Sequence, residues 1–257
     1  SKKEIYLYSK KYKNEPLIKI KLGSDEGLNI AHDKVVNFFN IGQKVVIMDD
    51  DVIDFIELIP QVDGKNFVKG DLKKYIENGF KLCDENNFKL FGFYPVKNAY
   101  FMKDQPEYSK GLSFVVGGIH GIINDKNMKP LGVGFSEDYE KSIINYIKYG
   151  GLIRFNHAKC INKLYTNSGG LQDHRTLEKM EEDRKFIVDT YPDYCRYKKN
   201  SKSKYPEIQI KNKPYKISYH LDKQLDLITW SKNTDRPNVS GIDGTKAHHL
   251  RPPGNPC

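Results

Sequence analysis

Apolar positions along the chain alternate between two periods. Ile5-Tyr6-Leu7-Tyr8 and Leu17-Ile18-Lys19-Ile20-Lys21-Leu22 read as strands. Across Gly27 to Phe39 the apolar residues Leu28, Ala31, Val35 and Phe38 recur at helical spacing and predict an amphipathic helix. A glycine turn at Gly42 then leads into Lys44-Val45-Val46-Ile47-Met48. This is a short β-branched run of the kind expected of a strand buried on both faces. Further on, Phe67 to Phe80 reads as a helix, and Lys89 to Tyr94 as a strand stopped by Pro95. Leu112 to Ile123 is a third apolar run, interrupted by Gly117-Gly118. Glu137 to Tyr149 places Tyr139, Ile143, Tyr146 and Ile147 on one helix face, and Leu152 to Phe155 reads as a strand. Leu171 to Asp189 reads as a long charged helix with Leu177, Met180 and Ile187 on one side. Alternating strands and helices define an α/β protein, and no internal repeat interrupts the pattern.

After Trp230 the character changes. Residues 231–257 are rich in Asn, Asp, Gly and Pro and almost devoid of apolar side chains, which predicts a disordered or foreign tail. His248 and His249 lie inside it and are discounted as ligands. The expected organisation is therefore one domain over 1–230 and a tail over 231–257.

Composition narrows the class. The chain has 257 residues, enough to bury a core without staples, and its 17 Tyr and 13 Phe argue against disorder. No apolar run approaches the ~20 residues of a membrane span. No secretory signal is read at the start, so an intracellular protein of cytoplasm, nucleus or virus-infected cell is expected. Cys83, Cys160, Cys195 and Cys257 form no CxxC pair and no zinc spacing, which predicts free thiols. Lys and Arg number 42 against 33 Asp and Glu, a net charge of +9. Such a surface favours polyanions, although a general Lys, Asn and Ile bias accounts for it equally well.

Four local patterns carry candidate chemistry. Asp49-Asp50-Asp51 follows the buried strand. Adjacent carboxylates repel, and a hard divalent cation, Mn²⁺ or Mg²⁺, relieves that repulsion while leaving positions for substrate phosphates. The plain alternative is a solvated acidic loop. Ser136-Glu137-Asp138 opens a helix: Ser136 is a natural N-cap, acids suit the first turn, and such a carboxylate can also serve as a general base. Gly117-Gly118 lets backbone approach a ligand closely or simply makes a bulge, and His120 beside it reads as a packed histidine. Gly150-Gly151-Leu152-Ile153-Arg154-Phe155-Asn156-His157, followed by Tyr165-Thr166-Asn167-Ser168-Gly169-Gly170, pairs a cationic strand with a polar loop able to close over phosphates. An ordinary strand and turn would read the same way.

Taken in order, the Gly-Leu helix, buried strand, Asp-Asp-Asp, Gly-Gly, Glu-Asp helix, Arg-Phe-Asn and Tyr-Thr-Asn-x-Gly-Gly resemble a GT-A type nucleotide-sugar glycosyltransferase. More narrowly, roughly Gly23 to Ile210 resembles the TET/JBP-associated glycosyltransferase family, linked to sugar addition on hydroxymethylated DNA bases in viral or phage-like settings. The resemblance implies a Rossmann-type mixed sheet flanked by helices. It also implies a UDP-sugar or similar nucleotide-sugar donor, a Mn²⁺ or Mg²⁺ ion, and DNA as one acceptor. Asp49 and Asp51 would flank the metal and the donor diphosphate, Asp51 more directly, and Asp50 would face the donor sugar or ribose. Asp138 would be the general base of an inverting displacement, supported by Glu137. Gly117 and Gly118 would line the sugar or acceptor site. Arg154, Asn156, Tyr165 and Asn167 would form the late active-site segment. The Pro-Ser-Tyr-x-Arg-like turn that opens such folds is not found. Residues 1–22 read as the second and third strands, so the first is expected to be truncated. His157 and His174 are both candidates for the late metal histidine.

Two other classes fit parts of the pattern. Metal-dependent phosphoryl or nucleotidyl transfer also uses paired aspartates on a strand, but the Gly-x-x-x-x-Gly-Lys loop is not found. A basic nucleic-acid-binding module would use Tyr191, Tyr194, Tyr197 and Tyr205 among Arg196, Lys198, Lys199, Lys202 and Lys204. Tyrosines packing onto the domain under a Lys-rich loop are the preferred reading of that stretch.

Overall fold

The computed structural model describes residues 37–49, 51–62, 65–125, 133–162, 176–199 and 207–216. The chain divides into a unit of residues 1–220 and a unit of residues 221–257. The second unit lies outside the described residues, as do the strands expected over 5–22, the tail, and all but the last residues of the Gly27–Phe39 helix.

In chain order the elements are β1 (Lys44–Met48), β2 (Val52–Val62), β3 (Lys65–Lys69), α1 (Leu72–Asn86), β4 (Leu90–Phe93), α2 (Ala99–Met102), β5 (Tyr108–Ser109), β6 (Ile119–Ile123), α3 (Glu137–Tyr149), β7 (Ile153–Phe155), β8 (Ala158–Asn162), α4 (Leu177–Thr190), β9 (Cys195–Tyr197) and β10 (Ile208–Ile210). Five strands form one sheet in the order β1-β6-β4-β7-β5. Only β4 and β7 pair in parallel, and the other three pairings are antiparallel. The protein is thus α/β with a mixed sheet. Strands β1, β4 and β7 run the same way, and β6 runs against them. The carboxyl ends of β1, β4 and β7 therefore share one sheet edge with the amino end of β6.

Two smaller antiparallel sheets, β3-β2-β8 and β10-β9, complete the strands. The first is tied to the main sheet where the Tyr94 N–H donates to the Ala158 carbonyl at 3.0 Å.

Helices flank the main sheet. Helix α1 buries Phe80, Leu82 and Cys83 against Leu90, Phe91 and Phe93 of β4, Ile119 and Ile122 of β6, and Phe155 of β7. Aromatic edges fill this core: Phe80 meets Phe91 at 4.9 Å and Phe55 meets Phe93 at 4.9 Å between ring centres. A second cluster gathers Ile143 and Tyr146 of α3, Ile187 of α4, Cys195 of β9 and Ile208 and Ile210 of β10. Burial of each large side chain stabilises by roughly 1.5–3 kcal/mol. Cys83, Cys160 and Cys195 are free and buried, as the sequence predicts.

Several expectations are corrected. Phe67 to Phe80 is not one helix: Lys65–Lys69 is strand, Gly70 intervenes, and α1 begins at Leu72 with the Asp71 carboxylate capping the Lys74 N–H at 3.1 Å. Strand β2 was not anticipated, because its Asp54 and Glu57 interrupt the apolar pattern. Strand β1 is not buried on both faces. Among the described residues it is the outer strand, with only Val45 buried and Met48 49% exposed. Of the Leu112 to Ile123 run, only Ile119–Ile123 is strand. Val115 instead lies over β4, where a Cβ on Gly92 would come within 2.2 Å of it.

Candidate active site at the carboxyl edge of the sheet

The antiparallel pairing of β1 with β6 brings two of the sequence patterns together. Met48 lies opposite Ile119, and the Asp49 N–H donates to the Gly118 carbonyl at 2.9 Å. The Val52 N–H reaches back to the Asp49 carbonyl at 3.4 Å, which sets Asp49 and Asp51 in the short connection between β1 and β2. Strand β8 closes the third side. Val52 pairs with Asn162, whose amide donates to Asp51 Oδ1 at 2.7 Å. Gly118 is where these three segments touch. A Cβ there would lie 2.8 Å from Asn162 Oδ1 and 2.9 Å from Cys160 Sγ, so a side chain does not fit.

Helix α3 supplies the fourth side. Glu137 Oε1 is 3.8 Å from where a Cβ on Gly117 would stand. The Asp138 carboxylate accepts the backbone N–H of Tyr139 at 3.0 Å, and the Gly117 N–H acts on it electrostatically in favour of its charged form. Ser136 occupies the N-cap position, but its side chain makes no capping hydrogen bond, which corrects its reading as the cap. Behind the acids, Lys141 is buried, with Nζ 3.0 Å from His120 Nε2, and His120 Nδ1 is 3.0 Å from the Gly117 carbonyl.

The electrostatics follow from this crowding. Burial, then the neighbouring Asp138 and Asp49, push the Glu137 carboxyl up to about 7 against the pull of Lys141. Burial likewise raises the Asp138 carboxyl, opposed by Lys141 and the N–H donors it accepts. Burial lowers the Lys141 ammonium, which Glu137, Asp138 and Asp49 partly restore. A carboxyl raised toward neutrality, as that of Glu137 is, can take or give a proton during a reaction.

Asp49, Asp51, Gly117, Gly118, Glu137 and Asp138 are therefore brought together. Arg154 and Asn156 are not part of this cluster. They lie at the end of β7, with β4 between them and β6. Arg154 Nε donates to Asn156 Oδ1 at 2.9 Å, and its guanidinium lies 4.9 Å from the Tyr94 ring centre. The Asn156 amide in turn donates to the Pro106 carbonyl. His157 Nε2 donates to the Gln105 carbonyl at 2.9 Å. Asp50, Tyr165, Asn167 and His174 lie outside the described residues.

Hard carboxylate oxygens suit Mn²⁺ or Mg²⁺, and Asp49 and Asp51 bracket one turn. Among the described residues, no three or more His, Cys, Asp or Glu side chains are grouped to hold a metal ion. Two carboxylates fit a metal that keeps waters or substrate phosphates as its remaining ligands.

Sequence reasoning missed Lys141, Asn162 and Cys160 and read His120 as packing alone. Lys141 was findable: positions four beyond Glu137 and three beyond Asp138 share a helix face. Asn162 carries no local signal, because the β2–β8 pairing alone brings it to Asp51.

The fold and the cluster define an α/β protein with a carboxylate-rich site at a sheet edge. Compared with protein-family models, curated proteins and solved structures, the chain matches none of them.

Proposed function

We propose that the chain is a metal-dependent, inverting glycosyltransferase with a GT-A-like fold. It moves a sugar from a nucleotide-diphosphate donor such as a UDP-sugar to a hydroxyl acceptor, with a hydroxymethylated DNA base as one candidate. The observation that supports this reading is the meeting of the Asp49–Asp51 turn, the Gly117-Gly118 turn and the Glu137–Asp138 helix start at one sheet edge. Asp49 and Asp51 would hold Mn²⁺ or Mg²⁺, which would supply positive charge against the leaving diphosphate. Asp138, held by the Tyr139 N–H, takes the acceptor hydroxyl proton as that oxygen attacks the anomeric carbon and the nucleotide diphosphate leaves. Glu137 supports it as the second carboxyl. The bare backbone at Gly117 leaves room beside Glu137 for the sugar or acceptor.

The test is thermal stability across nucleotide diphosphates and their sugars, with and without Mn²⁺. A ligand at one hundred times its Kd adds about 2.7 kcal/mol. A shift requiring both one nucleotide and Mn²⁺, lost in Asp51→Asn, is the expected result. Asp138→Asn should retain that shift and lose transfer. No shift with any pair sinks the reading. Pyrophosphate or a phosphorylated acceptor as product would establish nucleotidyl or phosphoryl transfer instead.

A second reading, nucleic-acid binding, is favoured by one surface. In α2, Met102 is fully buried and pins the helix, while Tyr100 and Phe101 are 71% and 55% exposed. Their rings lie 5.3 Å apart, with Lys103 5.7 Å from Tyr100 and Lys97 5.4 Å from the Phe67 ring. Exposed rings among lysines suit stacked bases and phosphates. Of the tyrosines read for this role in the sequence, Tyr191 is buried and Tyr194 lies 6.0 Å from Tyr146, whereas Tyr197 is 45% exposed and Tyr205 lies outside the described residues.

A further inference from the structure

Asn162 ends β8 and lies opposite Val52 of β2, so the ladder joining these strands sets its amide beside Asp51. Its Nδ2 donates to Asp51 Oδ1 at 2.7 Å, and both residues are half-buried. Among the described residues the Asp51 carboxylate takes no other hydrogen bond. The amide is also confined from the other side. A Cβ on Gly118 would come 2.8 Å from Asn162 Oδ1 and 3.0 Å from Nδ2, so the amide occupies space that only a glycine leaves.

The same frame carries Asp49. Its N–H donates to the Gly118 carbonyl at 2.9 Å, and its carbonyl accepts the Val52 N–H at 3.4 Å. Gly118 and Val52 thus fix the backbone of the first aspartate and the side chain that grips the second.

A carboxylate can give a cation one oxygen or both. Ca²⁺ gathers about six to eight oxygens and accepts both from one carboxylate. Mg²⁺ holds to an octahedron, takes one or two carboxylates and fills the rest with water or phosphate, and Mn²⁺ shares that geometry. The Asn162 N–H occupies Asp51 Oδ1 and stops the carboxylate from turning. One oxygen, Oδ2, is left to a cation.

We propose that Asn162 is a positioning residue that makes Asp51 a one-oxygen ligand, so that the Asp49–Asp51 site prefers a small octahedral cation, Mn²⁺ or Mg²⁺, over Ca²⁺. The inference rests on the metal half of the proposed function and asks nothing of the sugar donor or the acceptor.

The experiment is a Mn²⁺ titration of the full chain, with free Mn²⁺ read by electron paramagnetic resonance, alone and with uridine diphosphate present. Ca²⁺ is then added as competitor. In the wild type, about a tenfold excess of Ca²⁺ should leave most of the Mn²⁺ bound. Asn162→Leu removes the donor and leaves the backbone ladder to Val52 in place. Its Mn²⁺ affinity should fall about tenfold or more, as expected when the partner of a ligating group is lost. Its Ca²⁺ affinity should fall less, because Asp51 is then free to offer both oxygens, and the preference between the ions should shrink. A side chain that merely packed would weaken both ions alike. Asn162→Ala should behave as the leucine variant does, and decides where that variant does not fold.

Equal losses for the two ions, or Ca²⁺ displacing Mn²⁺ from the wild type one for one, overturn the proposal. Unchanged Mn²⁺ affinity in Asn162→Leu, with binding lost in Asp51→Asn, overturns the role of Asn162 and leaves Asp51 as a ligand. A wild type that binds no Mn²⁺ under either condition overturns both. The expected metal pattern with no nucleotide-sugar shift sinks the transferase reading and upholds the role of Asn162.

Discussion

Neighbouring residues of one turn are held to very different tolerances. Gly118 is enclosed by Asn162 and Cys160, whereas the nearest atom to a Cβ on Gly117 is Glu137 Oε1 at 3.8 Å. Gly118→Ala should cost about 1–3 kcal/mol, because the side chain it meets also holds Asp51. Gly117→Ala should change stability by no more than about 0.5 kcal/mol. Urea denaturation of the two variants checks the contrast, and equal losses would refute the three-sided packing around Gly118. Glu137 gives a second prediction, with a sign. Its carboxyl rises from an ordinary 4.5 to about 7, chiefly through burial. Below the lower value it is protonated whether folded or not, and it has no effect on stability. As pH rises from there to about 7, the unfolded chain releases a proton that the folded chain keeps. Stability then falls, and the full loss is reached above 7. Glu137→Gln should therefore gain on the wild type between about pH 4 and pH 8. A pH-independent difference would show that the folded carboxyl is not raised.

At the level of elements, what is legible in the sequence is what local pattern controls. Helix α3 occupies Glu137–Tyr149 as its apolar spacing predicts, and β4 stops just before Pro95. The acids at the start of α3 and the aspartates after β1 were recognisable as chemistry by type alone. What pairing decides was not legible. The antiparallel β1–β6 ladder joins the aspartates to Gly118, and β2–β8 brings Asn162 to Asp51, across 111 residues of sequence. Nothing local predicts either contact. Arg154 shows the converse. Its motif looked like a phosphate site, yet its guanidinium is satisfied by Asn156 and the Tyr94 ring on the far side of β4. Caps follow the same division. Ser136 reads as an N-cap in the sequence and Asp71 falls inside the helix expected over Phe67 to Phe80, yet only Asp71 accepts a hydrogen bond in the capping role. Asp71→Ala should lose about 1 kcal/mol. Ser136→Ala should stay within about 0.5 kcal/mol of wild type, because the buried Ser136 Oγ has no hydrogen-bond partner to lose. Thermal unfolding of the pair tests this, and a larger loss for Ser136→Ala would reverse the assignment.

Across the whole molecule, the net charge of +9 promises some affinity for any polyanion, so binding to nucleic acid would by itself say little. The distribution of contacts is more telling. Several cations are already engaged: Lys44 with Asp84 and Lys198 with Glu207 are ion pairs, and Lys159 donates to the Pro95 carbonyl. Lys97 and Lys103 instead lie over the rings of Phe67 and Tyr100, beside the exposed Tyr100–Phe101 pair that follows β4. Phosphate contacts and base stacking leave different signatures. Each lysine–phosphate contact adds about 0.7 to the slope of log affinity against log salt for a single strand. Stacking on a ring is worth roughly 1–3 kcal/mol per base and does not depend on released counterions. Removing Tyr100 and Phe101 together, as alanines, should therefore weaken a single-stranded oligonucleotide about tenfold or more at every salt concentration, with the slope unchanged. Removing Lys97 and Lys103 should flatten the slope by roughly 1.4. Fluorescence anisotropy at several salt concentrations reads both effects. If neither pair of substitutions changes affinity or slope, the oligonucleotide is held by diffuse charge, and α2 is not a nucleic-acid surface. If Asp51→Asn leaves this binding intact while abolishing the Mn²⁺-dependent donor shift, the two surfaces act separately, as expected of an enzyme whose acceptor is held away from its metal.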